Sequence, residues 1–409
     1  MIFPKRFITP QILTNIRRFI CHNLSEEEIM IKENIKRFTE SELKPIVNKM
    51  DKEMKLDDNL LKSLFDQGFM GIEVPIEYQG SGMNFFSSIL VIEEISKVDP
   101  SVAILVDIHN TLITTLFNKL GTKEQKEAWL PKLSTNTVGS FCLSEQGSGS
   151  DAFALKTHAK RDGDDYILNG TKLWISNSEQ AGVFLVMANI APEKGYKGIT
   201  TFIVPRDSPG LSIGKKETKL GLRASSTCAI HLDNVRVNRK SGILGEEGLG
   251  YKYAIEMLNE GRIGIAAQMI GLARGCLDFT TGYTFERKQF KKRIWDFQAV
   301  QHDIAKMESE LVAVQTLTYN TARRKENNEN IVKDASICKY LSANLAAKIC
   351  SKSVELLGGV GFSAEYPVEK FYRDVKIGKK TSFNFPRYNL RRHKQYPAKY
   401  YSKVDRRRT

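Results

Sequence analysis

The apolar period of this chain changes twice, and those two changes limit its fold more than any other feature. From residue 25 to about 139 apolar residues recur at helical spacing. Ser25 followed by Glu28 forms a capping-box pattern ahead of the first helix. The stretch LLKSLFDQGFMGIEVP is expected to be a helix ending before Pro75. Two long apolar helices are expected to break at Asp99-Pro100 and stop at Gly121. A short helix should precede Pro131. From 140 to about 245 the texture becomes short β-branched and aromatic runs, with DGDDY and LNGTK as turn signals. Helical spacing then returns through residues 246–378. The expectation is an α+β multidomain chain: an N-terminal helical domain (25–139), a middle β-domain (140–245) and a C-terminal helical bundle (246–378).

Charge separates the ends from this body. The chain carries a net +14 over 409 residues. Residues 1–24 contribute Lys5, Arg6, Arg17 and Arg18 and no acid; residues 379–409 contribute eleven Lys/Arg against Asp405 alone. The body between them is neutral, which argues against a basic nucleic-acid groove. The basic, acid-free segment 1–24 has the composition of a mitochondrial transit peptide. No uninterrupted apolar run reaches ~18 residues, so no membrane span is expected. The six cysteines are scattered without metal-ligand spacing, which fits a reducing compartment.

Six stretches hold small, hydroxyl or cationic residues of the kind that line ligand sites. FCLSEQGSGSD (141–151) is a Gly/Ser loop that a ligand can approach closely. LWISNSEQAG (173–182) sets Trp174 and Ser176 beside a strand, where a core tryptophan is the plainer reading. GLRASSTC (221–228) supplies Arg223. LNEGRIGIAAQ (258–268) puts Arg262 near a helix start. Arg287 and Gln298 stand about three helical turns apart, with Arg287 suited to a phosphate or to a solvated face. VELLGGVGF (354–362) ends a helix on paired glycines.

In this order and setting, the six stretches resemble the acyl-CoA dehydrogenase family over residues 25 to 378. They are most similar to its members specific for short and branched acyl chains. The resemblance implies FAD between the β-domain and the C-terminal helices, with a homotetramer completing the site. Phe141, Cys142, Leu143, Ser144, Gly149 and Ser150 would line the flavin, with Trp174, Ile175 and Ser176 covering its ring. Arg287, Gln298 and Glu355, Leu356, Leu357, Gly358 and Gly359 would reach the FAD of a neighbouring subunit. Ser150, Tyr196, Tyr251, Asn259, Glu260, Gly261 and Arg262 would line the acyl-CoA channel. It also implies electron-transfer flavoprotein as partner and the mitochondrial matrix as location.

One expected group is missing. The family's base is usually the Glu of a YEG(T/A)SxIQ stretch soon after YRDxKIG. Here YRDVKIG (372–378) is followed by KKTSFNFPRYNL, with no such Glu. Some relatives carry the base at the position of Gly261, which has no side chain; Glu260 is offset by about 100° on a helix. The catalytic set is therefore empty. Read one nucleotide forward, codons for Arg387–Lys403 permit GTIYEGTSNIQLNTIAK, with the Glu spanning Arg391 and Arg392. Gly378-Lys379-Lys380 permits a splice donor and Phe385-Pro386-Arg387 an acceptor. The segment between them spans about 28 nucleotides, which shifts the frame. The expectation is that residues 379–409 arise from a retained intron (379–386) and a frameshifted last exon. Lys291, in KQFKKRI, also departs from the family's usual FGK.

Overall fold

A computed structural model describes residues 24–380. The segment 1–24 expected to be a transit peptide, save Leu24, and nearly all of the basic tail lie outside the described residues. Helix α1 (Glu26–Phe38) opens on the expected capping box, in which the Glu28 amide donates to Ser25 Oγ and the Ser25 amide to Glu28 Oε2. Helices α2 (Val47–Glu53) and α3 (Asp58–Asp66) follow. Helix α3 ends earlier than expected. Gly68 turns the chain at φ +75°, and Phe69, Met70, Ile72 and Val74 then enter the core from turns. Helix α4 (Phe85–Ser96) and α5 (Pro100–Asp107) break at Asp99, whose side chain caps α5. Helix α5 continues as a π-helical segment (Ile108–Thr114) into α6 (Thr115–Leu120), and Gly121 ends it.

The stretch Pro100–Leu120 is long and apolar enough to cross a membrane by length and composition. Polar residues such as Asp107, His109 and Asn110 interrupt its apolar run. In this fold 94% of its apolar window is buried inside the protein. Helix α7 (Lys123–Thr135) runs through Pro131 instead of stopping before it. Leu130 and Leu133 are fully buried, and this packing carries the helix past the lost amide bond.

The β-domain is one seven-stranded sheet: β1 (Val138–Cys142), β2 (His158–Asp162), β3 (Asp165–Ser176), β4 (Ala181–Asn189), β5 (Ile199–Pro205), β6 (Leu211–Ile213) and β7 (Thr227–Asn238). Its order is β1-β4-β2-β3-β7-β6, with β5 on the other side of β4. DGDDY forms the β2–β3 turn. LNGTK does not turn; it lies inside β3, where the pairing with β7 shifts register beside Gly170. A Cβ on Gly170 would meet Thr157 Oγ1 at 2.4 Å, so close approach, and not reversal, requires the glycine.

Helix α8 (Gly250–Glu286) spans 37 residues. A hairpin of β8 (Lys288–Gln289) and β9 (Lys292–Arg293) leads to α9 (Gln298–Glu326), α10 (Val332–Leu357) and α11 (Pro367–Lys380). Arg262 therefore sits well inside α8, not near its start. Arg287 and Gln298 flank a hairpin instead of sharing a helix, and Lys291 occupies the hairpin tip at φ +62°.

Candidate active site

Two strands build one wall. Ser140 Oγ donates to Ser176 O at 2.8 Å and the Leu173 amide to Ser144 O at 2.9 Å. Phe141–Ser144 therefore runs beside Trp174–Ser176. Trp174 is held at φ +61° and is 60% exposed, so the core-tryptophan reading is overturned. Trp174 lies within β3 at the register shift between Lys172 and Ile175, and a left-handed, exposed aromatic there is costly without a role. The loop after Ser144 is open: a Cβ on Gly147 or Gly149 would meet nothing within 4 Å, and Ser150 is exposed. Cys142 is buried and its thiol is pushed up to about 12 by burial, so it is inert.

Helix α8 and the segments packed on it build the opposite wall. Phe141 and Leu143 share an apolar cluster with Tyr251 and Leu258. The Tyr251 ring lies 4.8 Å from that of Tyr196. Arg262 donates to Asn259 Oδ1, and burial lowers the Arg262 pKa from its ordinary value. Glu260 turns away into the protein, where Lys119 and Lys325 bind its carboxylate, the latter at 3.3 Å. Glu73, at 3.7 Å from Lys325 and accepting from Ser88 Oγ, joins this cluster. Burial raises the Glu73 pKa despite Lys325. Glu260 is thus committed to structure. Gly261 faces Leu112 at an ordinary 3.4 Å for a built Cβ, so a Cβ fits there.

The last helix is fastened to all three parts of the chain. Lys370 Nζ donates to Asp99 at 2.9 Å and Asp374 at 2.7 Å, and Asp374 also accepts the Leu222 amide at 2.7 Å. Burial opposes the Lys370 charge, but the two carboxylates raise its pKa well above the ordinary value. Arg373 spans Glu369 and Asp51. Gly378 lies on Met269, where a Cβ would be 2.2 Å from the sulfur.

The remaining predicted residues sit on the C-terminal helical surface. Arg287 and Gln298 are exposed; Glu355 is exposed and pairs with Lys352 at 2.7 Å. Leu356 is half-buried and Leu357 buried, while Gly358 turns at φ +62° and, with Gly359, faces open space. Sequence reading missed Lys172, Glu145, Glu73, Lys119 and Lys325. Lys172 had a signal: strand alternation puts it on the inward face with Tyr166 and Leu168.

The exposed indole beside an open Gly/Ser loop fits a planar, phosphate-bearing cofactor. The ring offers a stacking face and the loop offers accessible backbone.

Models for the N-terminal, middle and C-terminal domains of acyl-CoA dehydrogenase match residues 25–137, 140–235 and 248–380. The short/branched chain specific acyl-CoA dehydrogenase, mitochondrial, of Bos taurus is 54% identical over 87% of this chain and 82% of its own length. Butyryl-CoA dehydrogenase of Megasphaera elsdenii superposes with a TM-score of 0.86 at 34% identity, over 88% of this chain and 96% of its own. A glutaryl-CoA dehydrogenase of Mycobacterium smegmatis, solved in complex with FADH2, gives 0.84 at 31% identity over 90% and 93%. The chain belongs to the acyl-CoA dehydrogenase family.

Proposed function

We propose that the gene product is an FAD-dependent dehydrogenase of short, 2-methyl-branched acyl-CoA thioesters. It acts as a homotetramer in the mitochondrial matrix and passes electrons to electron-transfer flavoprotein. The observation that carries this reading is the corner of Trp174 and the open loop Phe141–Ser150, joined through an apolar cluster to Tyr251. FAD, when bound, supplies the hydride acceptor for α,β-desaturation.

The protein's own task is to hold the thioester and take its α-proton. Trp174, Ile175 and Ser176 with Phe141, Cys142, Leu143, Ser144, Gly149 and Ser150 would hold the flavin. Ser150, Tyr196, Tyr251, Asn259, Gly261 and Arg262 would line the channel, with Glu260 bracing it from behind. Arg287, Gln298 and Glu355–Gly359 would serve a neighbour's cofactor. No carboxylate among the described residues of this wall is available as base. Glu260 is held by two lysines, and Gly261 has no side chain. The chain as it stands therefore turns over poorly. Residues 379–409 fit translation of an unspliced intron and a shifted frame, so the base is encoded but not translated.

The experiment is dye reduction by 2-methylbutyryl-CoA, comparing this chain with one carrying TIYEGTSNIQLNTIAK after Gly378. Activity gained only in the second supports the reading. Full flavin loading with no turnover of any short acyl-CoA by either form supports a non-catalytic flavin- or acyl-CoA-binding scaffold, a reading favoured by the capture of Glu260. Mature transcripts that always keep the ~28-nucleotide segment would sink the splicing account.

A further inference from the structure

Lys172 is a charged side chain with no exposed surface, two residues before Trp174. Its Nζ donates to Glu145 Oε1 at 2.7 Å and to Leu143 O at 3.2 Å. Glu145 in turn accepts the amides of Lys156 at 2.6 Å and Thr157 at 3.1 Å. One carboxylate thus ties both ends of the loop 145–156 together. Thr157 is pressed against Gly170, and Leu173 donates its amide to Ser144. Residues 170–173 of β3 therefore grip the Gly/Ser loop at Leu143, Ser144 and Glu145 and press on Thr157 just beyond it, and the next residue is the exposed indole.

A buried ammonium in a strand is expensive unless its partners are fixed. Burial lowers the Lys172 pKa against the pull of Glu145. Burial also works against the Glu145 charge, but Lys172, Thr157 and the Lys156 amide outweigh it and hold the carboxyl below its usual range. An apolar residue at 172 would fill the same inward slot without that cost. The pair's contacts are all to the loop backbone or its anchor, so its effect falls on loop position.

We propose that Lys172 and Glu145 are positioning residues for the cofactor: they set the loop Phe141–Ser150 at a fixed distance from the Trp174 ring, and with it the depth at which the flavin seats. This rests on the reading that the loop lines the flavin.

The test titrates FAD into the full chain and its variants, following flavin fluorescence, the visible flavin band and thermal unfolding of the flavin-free protein. Lys172→Met should weaken FAD binding about tenfold or more and shift the flavin band. Lys172→Arg should recover part of both. If Lys172→Met does not fold, Lys172→Met/Glu145→Gln removes both charges and should fold yet still bind weakly with an altered band. Should the foldable variants bind FAD with the parent's affinity and spectrum, the proposal is overturned, even if they melt lower. A parent that shows no saturable FAD binding overturns the flavin-loop reading itself.

Discussion

The two walls of the candidate site rest on different physics. The sheet wall fixes its parts by backbone geometry. Its working groups are a left-handed tryptophan, an open loop and one buried ion pair beneath them. The helical wall fixes its parts by charge. Glu260 and Glu73 meet Lys119 and Lys325 inside the protein, and Lys370 meets Asp99 and Asp374 below the last helix. On the proposed reading the first wall holds every group expected of it, whereas the second lacks the expected carboxylate among the described residues. A fold is specified by many residues at once and tolerates the change of a few, whereas proton abstraction rests on a single positioned group.

The largest break in that contrast comes from adding the missing group. Restoring TIYEGTSNIQLNTIAK after Gly378 should raise 2-methylbutyryl-CoA-dependent dye reduction by about 10²–10⁴, the range for a positioned general base.

The second prediction concerns pH and the helical wall alone. Asp107 is buried where α5 meets α8, against Gly264, and burial raises its pKa to about 7 although Thr111 donates to it. His109 is also buried. It donates from Nε2 to Leu133 O and accepts the Gly139 amide at Nδ1, and burial lowers its pKa to about 4. As pH falls from 6.5 to 4 the unfolded chain protonates this histidine first, and stability drops. Over the same interval the folded chain already holds the Asp107 proton, and stability rises. The two slopes oppose each other. Asp107→Asn removes one of them. The gain in unfolding free energy of the variant over the parent should be about 3 kcal/mol larger at pH 8 than at pH 4.5. Equal differences at the two pH values would show that Asp107 titrates normally.

A smaller effect should follow from placing a base on the other helix. A Cβ at Gly261 meets Leu112 alone within 4 Å, which leaves room to begin a Gly261→Glu side chain. The substitution should raise dye reduction about 10–100-fold, less than the restored segment because its approach to the substrate is not tuned. Smallest is Trp174→Ala on the complete wall: about tenfold weaker FAD binding from lost stacking. Its melting temperature should change little, since the ring is exposed.

Much of the architecture was legible in the sequence. Ser25/Glu28, Asp99-Pro100 and Gly121 are local signals whose hydrogen bonds form within a few residues, and each acts where expected. Errors arose where distant packing decides. Pro131 continues a helix because Leu130 and Leu133 are buried. Asn169-Gly170 stays in a strand because Thr157 needs the space. Arg287 and Gln298 do not share a helix because a hairpin separates them. The site motifs were legible as stretches, but their supports were not. Lys119, Lys325 and Glu73 come to Glu260 from far along the chain, and no spacing rule joins them.

The fastening of α11 carries one more consequence. Lys370 and Asp374 share bonds with Asp99 from the first helical part and with the Leu222 amide from the middle part. Cutting the chain at either boundary would strand a buried carboxylate or a buried N–H without its mate. None of the three parts is therefore self-sufficient, and residues 24–380 should melt in a single cooperative step instead of domain by domain.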